Sequence, residues 1–425
     1  MASTAAARRT LGYPEARERV LAGARTLPAE PVPLAEAVGR PLAERIVAAH
    51  PLPPFRNSAM DGIAVRSADV AGATPARPLT LALGETLPAG RVTERVLRPG
   101  EAAPIMTGAM LPPGADAVIP VEVLSFVGSP TAAEAAERVR VTDPVAPGEN
   151  VREAGLDLAA GAVAIEAGRA VTPHDLALLA SLGVTRPAVG RRPHVAIIST
   201  GDELLPPEAA LVPGAIRDSN LPMLEALVTG AGGRVVAAKR LADDAQAVER
   251  ALHSALAVAD VVVTIGGVSA GDFDPVKRAI ATLPGVELWR VAMRPGQPQA
   301  FGAPDGRLFF GLPGNPASVA CVFEALVRPA LRKLQGYTSL DRPSLDVHAA
   351  RAIESREGRT DFVRVTLARR DGAWWAEPAG AQVSGHLMPQ ARAHALLVIP
   401  APLEGLSAGE KARALILRWP EEGTA

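Results

Sequence analysis

The stretch Asp260–Lys277, DVVVTIGGVSAGDFDPVK, decides how the rest of the chain is interpreted. Its residues 261–265 are all β-branched and do not alternate with polar residues, which is typical of a strand buried on both faces of a parallel sheet. Glycines follow, and they allow a tight turn and close approach of a ligand to the backbone. Asp274-Pro275 then supplies an N-cap and a first helical residue. This order predicts an anion-binding corner at the carboxyl edge of a sheet.

Two carboxylates in the same loop complicate a plain phosphate site. Asp272 and Asp274 would repel a phosphate unless a divalent cation such as Mg²⁺ bridges them to it, or unless they face hydroxyl groups instead. We therefore predict a phosphate site that includes a metal.

Composition excludes several classes of function. The chain of 425 residues has 44 basic and 45 acidic side chains, so no overall charge favours nucleic acid or an anionic membrane. Aromatic residues make up 3%, which argues against a stacking platform for single-stranded nucleic acid. The single cysteine, Cys321, lies among apolar residues at helical spacing and is interpreted as a buried structural thiol. One cysteine permits no disulfide framework, which fits a reducing cytosol.

Neither a membrane span nor a signal peptide is expected. No apolar run reaches the ~18 residues that a span requires. The first ten residues, MASTAAARRT, lack the apolar core of a signal peptide and are expected to form a flexible tail. We expect a cytoplasmic protein.

The alternation of patterns predicts a multidomain α/β plus β protein. Helical spacing is found at 13–24, 34–47 and 172–182, the last with Thr172 as cap and Pro173 as first helical residue. Short strands separated by Gly and Pro follow residue 51 (GIAVRS, LTLALG, AAPIMTG and AVIPVEV), with a loose loop at 129–137. The predicted domains are a split helical domain (1–50 and 146–190), a β-rich insert (51–145), a three-layer α/β domain with a mostly parallel sheet (191–336) and a C-terminal β-barrel (337–425).

Acidic residues occur on four loops of the α/β domain, after HVAIIST, before the helix PMLEALVTG, after RVVAAKRL and in the opening stretch. They are Glu203, Asp218, Asp243 and Asp274, with Ser219 and Asn220 beside the second. Each alone is also explained as a turn or helix cap, and Asp244 is the better cap of the helix after RVVAAKRL. Together they converge at the carboxyl ends of the strands, where ligands bind open α/β sheets. Clustered carboxylates repel, and a metal–phosphate site resolves that repulsion.

A fifth loop, GLPGNPAS at 311–318, supplies the anion-binding complement. Gly314 allows close approach, Asn315 can cap and Pro316 is the first helical residue, so free amides are expected to point outward. Upstream, the segment WRVAMRPGQP places Arg290 and Arg294 near the same rim, where guanidinium groups would bind oxyanions. In the β-rich part, Asp61-Gly62 is a hairpin turn signal. The sequence contains no P-loop, zinc motif or long dinucleotide fingerprint.

The motifs NSAMDG, IMTGA, REAGLD, STGDEL, IRDSN, TIGGVSAGDFD, RPGQP, GLPGNPAS and GRTDFVR occur in this order over residues 10 to 420. In this set the chain closely resembles the molybdopterin molybdenumtransferase (MoeA) family, which includes the gephyrin E domain. The resemblance implies an elongated four-domain homodimer. It further implies insertion of molybdate into adenylylated molybdopterin with Mg²⁺ or a similar divalent ion, with hydrolysis of the adenylate to AMP. The molybdopterin adenylyltransferase is a further partner to consider.

The resemblance also assigns residues. Glu203, Asp243 and Asp274 match the acidic residues of the nucleotide–metal crevice, with Asp218, Ser219 and Asn220 beside them. The positions that match family residues lying against the ligand are Gly266, Gly267, Ser269, Gly271, Pro313, Gly314 and Asn315. The positions tied to activity from a partner subunit are Asp61, Thr107 and Asp157. Arg364 and Ser384 match positions near the molybdate pocket.

The chain departs from the family pattern at its cationic positions. Many relatives have Lys at the positions of Arg294 and Gln297, and some at Arg290, while Arg56 replaces a frequent acidic residue. Arg290 and Arg294 keep the positive charge of the lysines, although a guanidinium group is not a compact point charge. Gln297 is uncharged, so the ionic contact that a lysine would make at this position is lost.

Three alternatives remain open. A molybdopterin adenylyltransferase shares the α/β domain and its GGxS loop, but such chains are short and lack the flanking domains. A scaffold protein of the gephyrin type would carry a long disordered linker to a second catalytic domain, which this sequence lacks. Insertion of tungsten instead of molybdenum is not distinguished by the sequence.

Overall fold

The computed structural model describes residues 9–127, 137–268 and 275–420. The chain divides into two compact units. The first unit comprises the described parts of Met1–Glu44, Gly168–Thr172 and Arg186–Ala425, and the second comprises those of Arg45–Ala167 and Pro173–Thr185. The finer division into four domains stays a prediction.

A mixed sheet forms the centre of the first unit. The strand Val261–Ile265 lies between His194–Thr200 and Leu308–Leu312 and is parallel to both. Arg234–Leu241 extends the parallel part at one edge. On the other side the direction reverses, with Pro298–Gly302 antiparallel to both of its neighbours. The remaining strands on that side are Glu287–Arg294 and Arg9–Gly12, which are parallel to each other. The mostly parallel sheet of the prediction is therefore mixed.

Helices cover both faces of this sheet. Val263 and Phe310 point to one face, where they share a core with Leu224 and Val228 of the helix Asn220–Gly230. Ile198, Val262 and Phe309 point to the opposite face, against the helices Ala245–Val258 and Pro275–Ala281. The other helices of this unit are Tyr13–Gly23, Leu34–Ala37, Pro316–Val322, Arg328–Gln335 and Leu387–Arg392, with a π-helical turn at Phe323–Val327 and a 3₁₀ turn at Pro304–Gly306.

A closed five-stranded barrel follows, which confirms the predicted C-terminal β-barrel. Its long strand Thr360–Arg370 pairs with Ala373–Pro378 on one side and Ala395–Ile399 on the other. Ser344–Ala349 and Lys411–Ile416 complete the ring. Met293 and Arg294 pair with Thr360 and Asp361, so the barrel continues the edge of the α/β sheet.

The second unit is built on a six-stranded sheet. Its strands are Ala117–Pro120, Gly62–Val65, Glu101–Ile105, Leu79–Leu83, Arg138–Val141 and Ser125–Val127, in that spatial order. The first four match the strands predicted from sequence, although the run AVIPVEV ends as a 3₁₀ turn at Val121–Val123. The helices of this unit are Ser67–Val70 and Pro173–Ser181, the latter beginning at Pro173 as predicted. The predicted loop at 129–137 lies outside the described residues except for Glu137.

Short two-stranded pairs complete the fold. They join Val151–Arg152 with Asn57–Ser58, Val163–Ile165 with Ile46–Val47, Ala188–Gly190 with Ala29–Pro31, Leu204–Leu205 with Ile216–Arg217, and Ile353–Glu354 with Gly405–Leu406.

The helix predicted over 34–47 is wrong for most of its length. The helix ends at Ala37, and Ile46–Val47 is a strand. Gly39 has a φ of 76°, which a helix does not accommodate. Pro41 lacks the N–H that a helix interior needs and disfavours helical geometry at Arg40. The apolar residues of this segment have helical spacing by coincidence, and Gly39 and Pro41 set a non-helical backbone conformation.

The expected burial of Cys321 is confirmed. Cys321 is 1% exposed, and burial raises the pKa of its thiol, which makes it an unreactive structural residue. No helix in the described parts of the chain is long and apolar enough to span a membrane.

The helix Ala245–Val258 offers a matched test of its packing. Val248 is fully buried and Val258 is 57% exposed on the same helix. Val248→Ala should lower the free energy of unfolding by about 2 kcal/mol, because it removes buried methyl groups and leaves a cavity. Val258→Ala should change it by less than about 0.5 kcal/mol. Urea unfolding followed by circular dichroism measures both, and equal effects would contradict the packing described here.

Candidate active site

A crevice of about 770 Å³ opens at the carboxyl ends of the parallel strands. Four of the five predicted loops contribute to its walls. The predicted residues that line it are Glu203, Asp218, Ser219, Asn220, Gly267, Pro313, Gly314 and Asn315. The convergence expected from the sheet topology is therefore present for these residues.

The glycine turn after Val261–Ile265 requires its glycines. Gly266 and Gly267 have φ values of 89° and 74°, in the left-handed region that other residues rarely adopt. A Cβ on Gly266 would also lie 3.1 Å from the carbonyl oxygen of Thr200. The turn thus keeps the backbone against the crevice wall. The predicted residues Ser269, Gly271 and Asp274 lie outside the described residues.

Asp218 and Asn220 connect two walls of the crevice. Oδ1 of Asp218 accepts hydrogen bonds from the backbone N–H groups of Asn220 and Leu221, both at 3.1 Å, and so caps the helix Asn220–Gly230. The side-chain amide of Asn220 donates to the carbonyl oxygen of Gly314 at 2.7 Å. Capping and site formation, which the sequence presented as alternatives, occur in the same residues.

Both side chains keep an unused acceptor. Oδ2 of Asp218 and Oδ1 of Asn220 are buried and have no hydrogen-bond partner within the described parts of the chain. Asp218 is 2% exposed, so water compensates its second oxygen poorly. A buried carboxylate oxygen without a donor favours a cation or a hydrogen-bond donor in the crevice.

The acidic residues in the loops after His194–Thr200 and Arg234–Leu241 make different contacts. Glu203 lines the crevice, and its carboxylate lies so close to Gly201 that a Cβ there would be 2.5 Å from it. Asp202 accepts a hydrogen bond from the N–H of Asp243 at 2.9 Å and joins the two loops. Asp244 caps the helix Ala245–Val258 by accepting from the N–H groups of Gln246 and Ala247, as predicted. Asp243 does not line the crevice.

These acidic residues do not by themselves form a complete metal site. Within residues 9–127, 137–268 and 275–420, no group of three His, Cys, Asp or Glu side chains is arranged to hold a metal ion. Glu203 and Asp218 nevertheless bring hard carboxylate oxygens to one crevice, and these suit a divalent cation such as Mg²⁺.

The start of the helix at Pro316 differs from the prediction. Pro316 is the first helical residue, but the side chain of Asn315 does not cap the helix. Its amide donates instead to Oγ of Ser384 at 3.0 Å, and the N–H of Ala317 donates to the Ser384 carbonyl at 3.1 Å. The outward amide expected at this helix start is therefore already occupied by the loop before Leu387–Arg392. That loop closes the crevice with Gly385 and Leu387.

The predicted arginines lie elsewhere. Arg290 is an exposed residue of the strand Glu287–Arg294, and neither it nor Arg294 lines the crevice. Arg294 lines a separate small hollow together with Arg364. It lies there because the barrel strand pairs with its own strand, which places its guanidinium 3.8 Å from Asp361.

Arg364 is the most deeply placed cation of that hollow. It is 1% exposed, and its guanidinium donates to the side chain of Gln382 at 3.1 Å and to the Val383 carbonyl at 3.2 Å. Burial lowers the pKa of Arg364 from its ordinary value, and Arg294 adds to that effect. A cation held in this way favours a bound anion. Ser384 follows Val383 directly, so the crevice and the hollow share one loop.

The remaining predicted residues belong to the second unit. Asp61 accepts hydrogen bonds from the N–H and the hydroxyl of Thr107, at 2.7 and 2.8 Å, and these lower the pKa of its carboxyl group. Asp157 is exposed. The hairpin turn predicted at Asp61-Gly62 is wrong, because Gly62 begins a strand whose neighbours are not reached by a two-residue turn. Gly62 is required by close packing instead, since a Cβ would lie 2.0 Å from the carbonyl oxygen of Ile119.

Sequence reasoning missed several residues of these sites. Asp361 is 3% exposed and accepts from Arg359 at 3.2 Å, which makes it the counter-charge of the arginine hollow. Its place in the motif GRTDFVR was the available signal. Pro298 had a similar signal, since it ends the motif RPGQP. Leu387 and Gln382 have no such signal, because they reach the sites through the docking of the barrel on the sheet.

An α/β sheet with a glycine turn at a polar crevice, followed by a closed barrel, is a multidomain architecture whose crevice lies where ligands of open α/β sheets bind. Three family models match consecutive parts of the chain. They are described as MoeA N-terminal region (domain I and II) at residues 11–183, probable molybdopterin binding domain at 196–333 and MoeA C-terminal region (domain IV) at 346–417.

Individual proteins agree with these models. Molybdopterin molybdenumtransferase 2 of Mycobacterium tuberculosis is 39% identical over 89% of this chain and 92% of its own length. Molybdopterin molybdenumtransferase of Staphylococcus aureus is 32% identical over 93% of each. The crystal structure of the molybdopterin biosynthesis MoeA protein from Pyrococcus horikoshii OT3 superposes with a TM-score of 0.81 at 30% identity, covering 96% of this chain and 100% of that one. The chain belongs to the MoeA family of molybdopterin molybdenumtransferases.

Asp61 offers a test of its local environment. Thr107→Val removes the hydroxyl donor but keeps the backbone N–H, so the pKa of Asp61 should rise part of the way to its ordinary value. Because the pKa of Asp61 is lower in the folded than in the unfolded protein, these hydrogen bonds stabilise the fold at every pH above the unfolded-state pKa. Their contribution is lost as the pH falls through the folded-state pKa. Carboxyl ¹³C NMR titration measures the change. Thr107→Ser, which keeps the hydroxyl, should leave the pKa in place; an equal rise in both variants would contradict the assignment.

Proposed function

We propose that this chain inserts molybdate into adenylylated molybdopterin and, in the same event, hydrolyses the adenylate to release AMP. The observation that carries the proposal is the crevice in which Glu203, Asp218, the glycine turn and the Pro313–Asn315 loop meet. Its volume of about 770 Å³ lies within the range of ligand pockets and accommodates a molecule larger than a single nucleotide. The names of the relatives support the same substrate class.

The walls of the crevice combine a backbone turn that would contact a phosphate with side chains that hold the loops in place. The glycine turn lets the backbone approach a phosphate without a side chain in between. Asn220 holds the Pro313–Asn315 loop in place through Gly314, and Asn315 holds the Ser384 loop. A substrate would therefore meet walls whose positions are fixed before it binds, which favours orientation of the scissile phosphoanhydride bond.

Mg²⁺ is proposed to bind in the same crevice. Glu203 is the proposed ligand on the crevice wall, with Asp218 beside it. The family resemblance adds two further proposed ligands, Asp243 on the loop that Asp202 joins to that of Glu203, and Asp274. The ion would supply charge neutralisation at the adenylate phosphate. Glu203 and the unpaired Oδ2 of Asp218 support a further cation here, because the lining of the crevice holds two carboxylates and one guanidinium group, that of Arg217.

Molybdate is proposed to bind next to Arg364. Arg294 and Arg364 line one hollow, and the loop carrying Ser384 leads from it to the crevice. Tetrahedral oxyanions are held well by guanidinium and hydroxyl donors. Asp361 and Glu354 offset part of the positive charge there, which suits an anion that must leave again.

The second unit is proposed to act from a partner subunit. The family resemblance implies a homodimer in which Asp61, Thr107 and Asp157 reach the other subunit's crevice. The fixed, ionised carboxylate of Asp61 is consistent with a role in positioning a ligand. A cytoplasmic location and contact with the molybdopterin adenylyltransferase belong to the same proposal.

An AMP-release assay tests the function directly. Purified protein should release AMP from adenylylated molybdopterin only when molybdate and Mg²⁺ are both present, because the proposed hydrolysis is coupled to insertion. Chromatographic quantification of AMP measures this, with tungstate in place of molybdate as a parallel arm. AMP release that needs neither molybdate nor Mg²⁺ would sink the proposal.

A matched pair of variants tests the metal site. Glu203 lines the crevice, whereas Glu208 is an exposed residue of the same segment that does not. Glu203→Gln should raise the Mg²⁺ concentration needed for half-maximal AMP release by about 10-fold or more, since it removes a charged ligand. Glu208→Gln should leave it unchanged. An unchanged Mg²⁺ requirement in Glu203→Gln would remove Glu203 from the metal site.

A further inference from the structure

A second hollow lies on the outer surface of the C-terminal barrel and shares no residue with the crevice or the arginine hollow. Its volume is about 410 Å³. The side chains that give it its character are Arg370, Arg392, Arg418, His394 and Trp375. None of them takes part in the proposed transfer reaction.

Strand alternation explains how this surface is made. Along Thr360–Arg370, Val365 and Leu367 point into the barrel core. Thr366, Ala368 and Arg370 therefore point outward. On the neighbouring strand Glu377 pairs with Thr366 and Trp375 with Ala368, so these side chains form one outer face. The small Ala368 leaves the depression beside the indole.

His394 presents a hydrogen-bond donor that has no partner. The residue is 9% exposed, and its Nδ1 accepts the backbone N–H of Leu367 at 3.0 Å. Because an N–H must meet a lone pair, this hydrogen bond places the ring proton on Nε2. In the described parts of the chain Nε2 has no acceptor, although the ring lines the hollow. This Nε2–H group can therefore donate a hydrogen bond to a ligand in the hollow.

The charge of the hollow is strongly positive. Arg370 and Arg392 form no ion pair with any described residue, and the one carboxylate in the lining, Glu377, is paired with Arg351 at 2.6 Å. Arg418 is held in place by the carbonyl oxygens of residues 391 to 393, each at 3.3 Å, through Nε and Nη2. Its Nη1 has no hydrogen-bond partner among the described residues. Three guanidinium groups around one depression match the charge of a phosphate group.

Trp375 adds an aromatic surface to this cationic site. Its ring stacks on His348 with centroids 5.0 Å apart and an interplanar angle of 28°, which fixes the indole against the barrel. The indole also borders the hollow. A fixed indole next to guanidinium groups suits a planar ring that carries an anionic group.

We propose that this hollow binds an aromatic monophosphate of mononucleotide size, with the phosphate held by Arg370, Arg392 and Arg418 and by Nε2–H of His394, and the planar ring against Trp375. The volume supports this class, because a bare oxyanion occupies only a small part of about 410 Å³. The site is separate from the crevice and does not depend on the proposed transferase reaction.

Titration of the full chain with AMP, adenosine and inorganic phosphate tests the proposal. The indole N–H resonance of Trp375, assigned by its loss in Trp375→Phe, reports on this hollow and not on the crevice. AMP should shift it saturably. Adenosine and phosphate alone should each bind at least about 10-fold more weakly, because each makes only part of the contacts.

Arginine variants provide the control. The double variant Arg370→Ala/Arg392→Ala should weaken AMP binding at this resonance by about 10-fold or more. Arg369→Ala, on the same strand but outside the hollow, should leave it unchanged. An unmoved Trp375 resonance, or equal AMP affinity in the double variant, would overturn the proposal. Phosphate binding as tightly as AMP would overturn the aromatic part and leave a simple oxyanion site. These outcomes are independent of AMP release by the enzyme.

Discussion

Burial of the strand Val261–Ile265 on both faces is the constraint on which the first unit depends. All five of its residues are buried, and each of its two parallel neighbours pairs with it along its length. Helices occupy both faces, so a ligand can approach the sheet only at the ends of the strands. The loops that carry polar residues are therefore brought to one edge by the packing of apolar ones. The position of the crevice follows from the hydrophobic core.

The loops at that edge are fixed mainly by hydrogen bonds to each other. Asn220 donates to Gly314, and Asn315 donates to Ser384, so one chain of contacts links the parallel sheet to the barrel. Asp202 makes a similar link between the first and third loops. Polar groups used in this way are not available to a ligand, whereas the second oxygen of Asp218 has no hydrogen-bond partner among the described residues. The distinction separates residues that build the site from residues that can act in it.

Acidic and basic side chains meet in both sites of the first unit. Glu203 and Asp218 line the crevice together with Arg217, while Arg294 and Arg364 line the adjacent hollow together with Glu354 and Asp361. Had Arg294 lain at the crevice rim, as its position in the sequence suggested, it would have neutralised the carboxylates directly. Its pairing with the barrel strand moves it away. The two sites thus lie side by side, joined by the Ser384 loop.

Most strands and the longer helices could be predicted from the sequence, because apolar periodicity and turn residues act locally. His194–Thr200 and Arg234–Leu241 have the predicted bounds. The capping role of Asp244 was also readable, since it depends on the next three residues alone. The error at 34–47 arose where Gly39 and Pro41 outweighed a helical pattern. The site was predictable as a set of converging loops, but the partners of its side chains were not.

The sequence by itself determined the class of fold, the edge of the sheet at which the crevice lies and the family to which the chain belongs. These rest on local backbone preferences and on motifs that keep their order along the chain. Only the tertiary structure decided that Asn315 binds Ser384 instead of capping its helix, that Arg294 faces Asp361, and that His394 and three arginines surround one hollow on the barrel. The reason is physical: each of these contacts joins residues on separate strands, helices or loops, and its geometry exists only after the barrel strands have paired and packed.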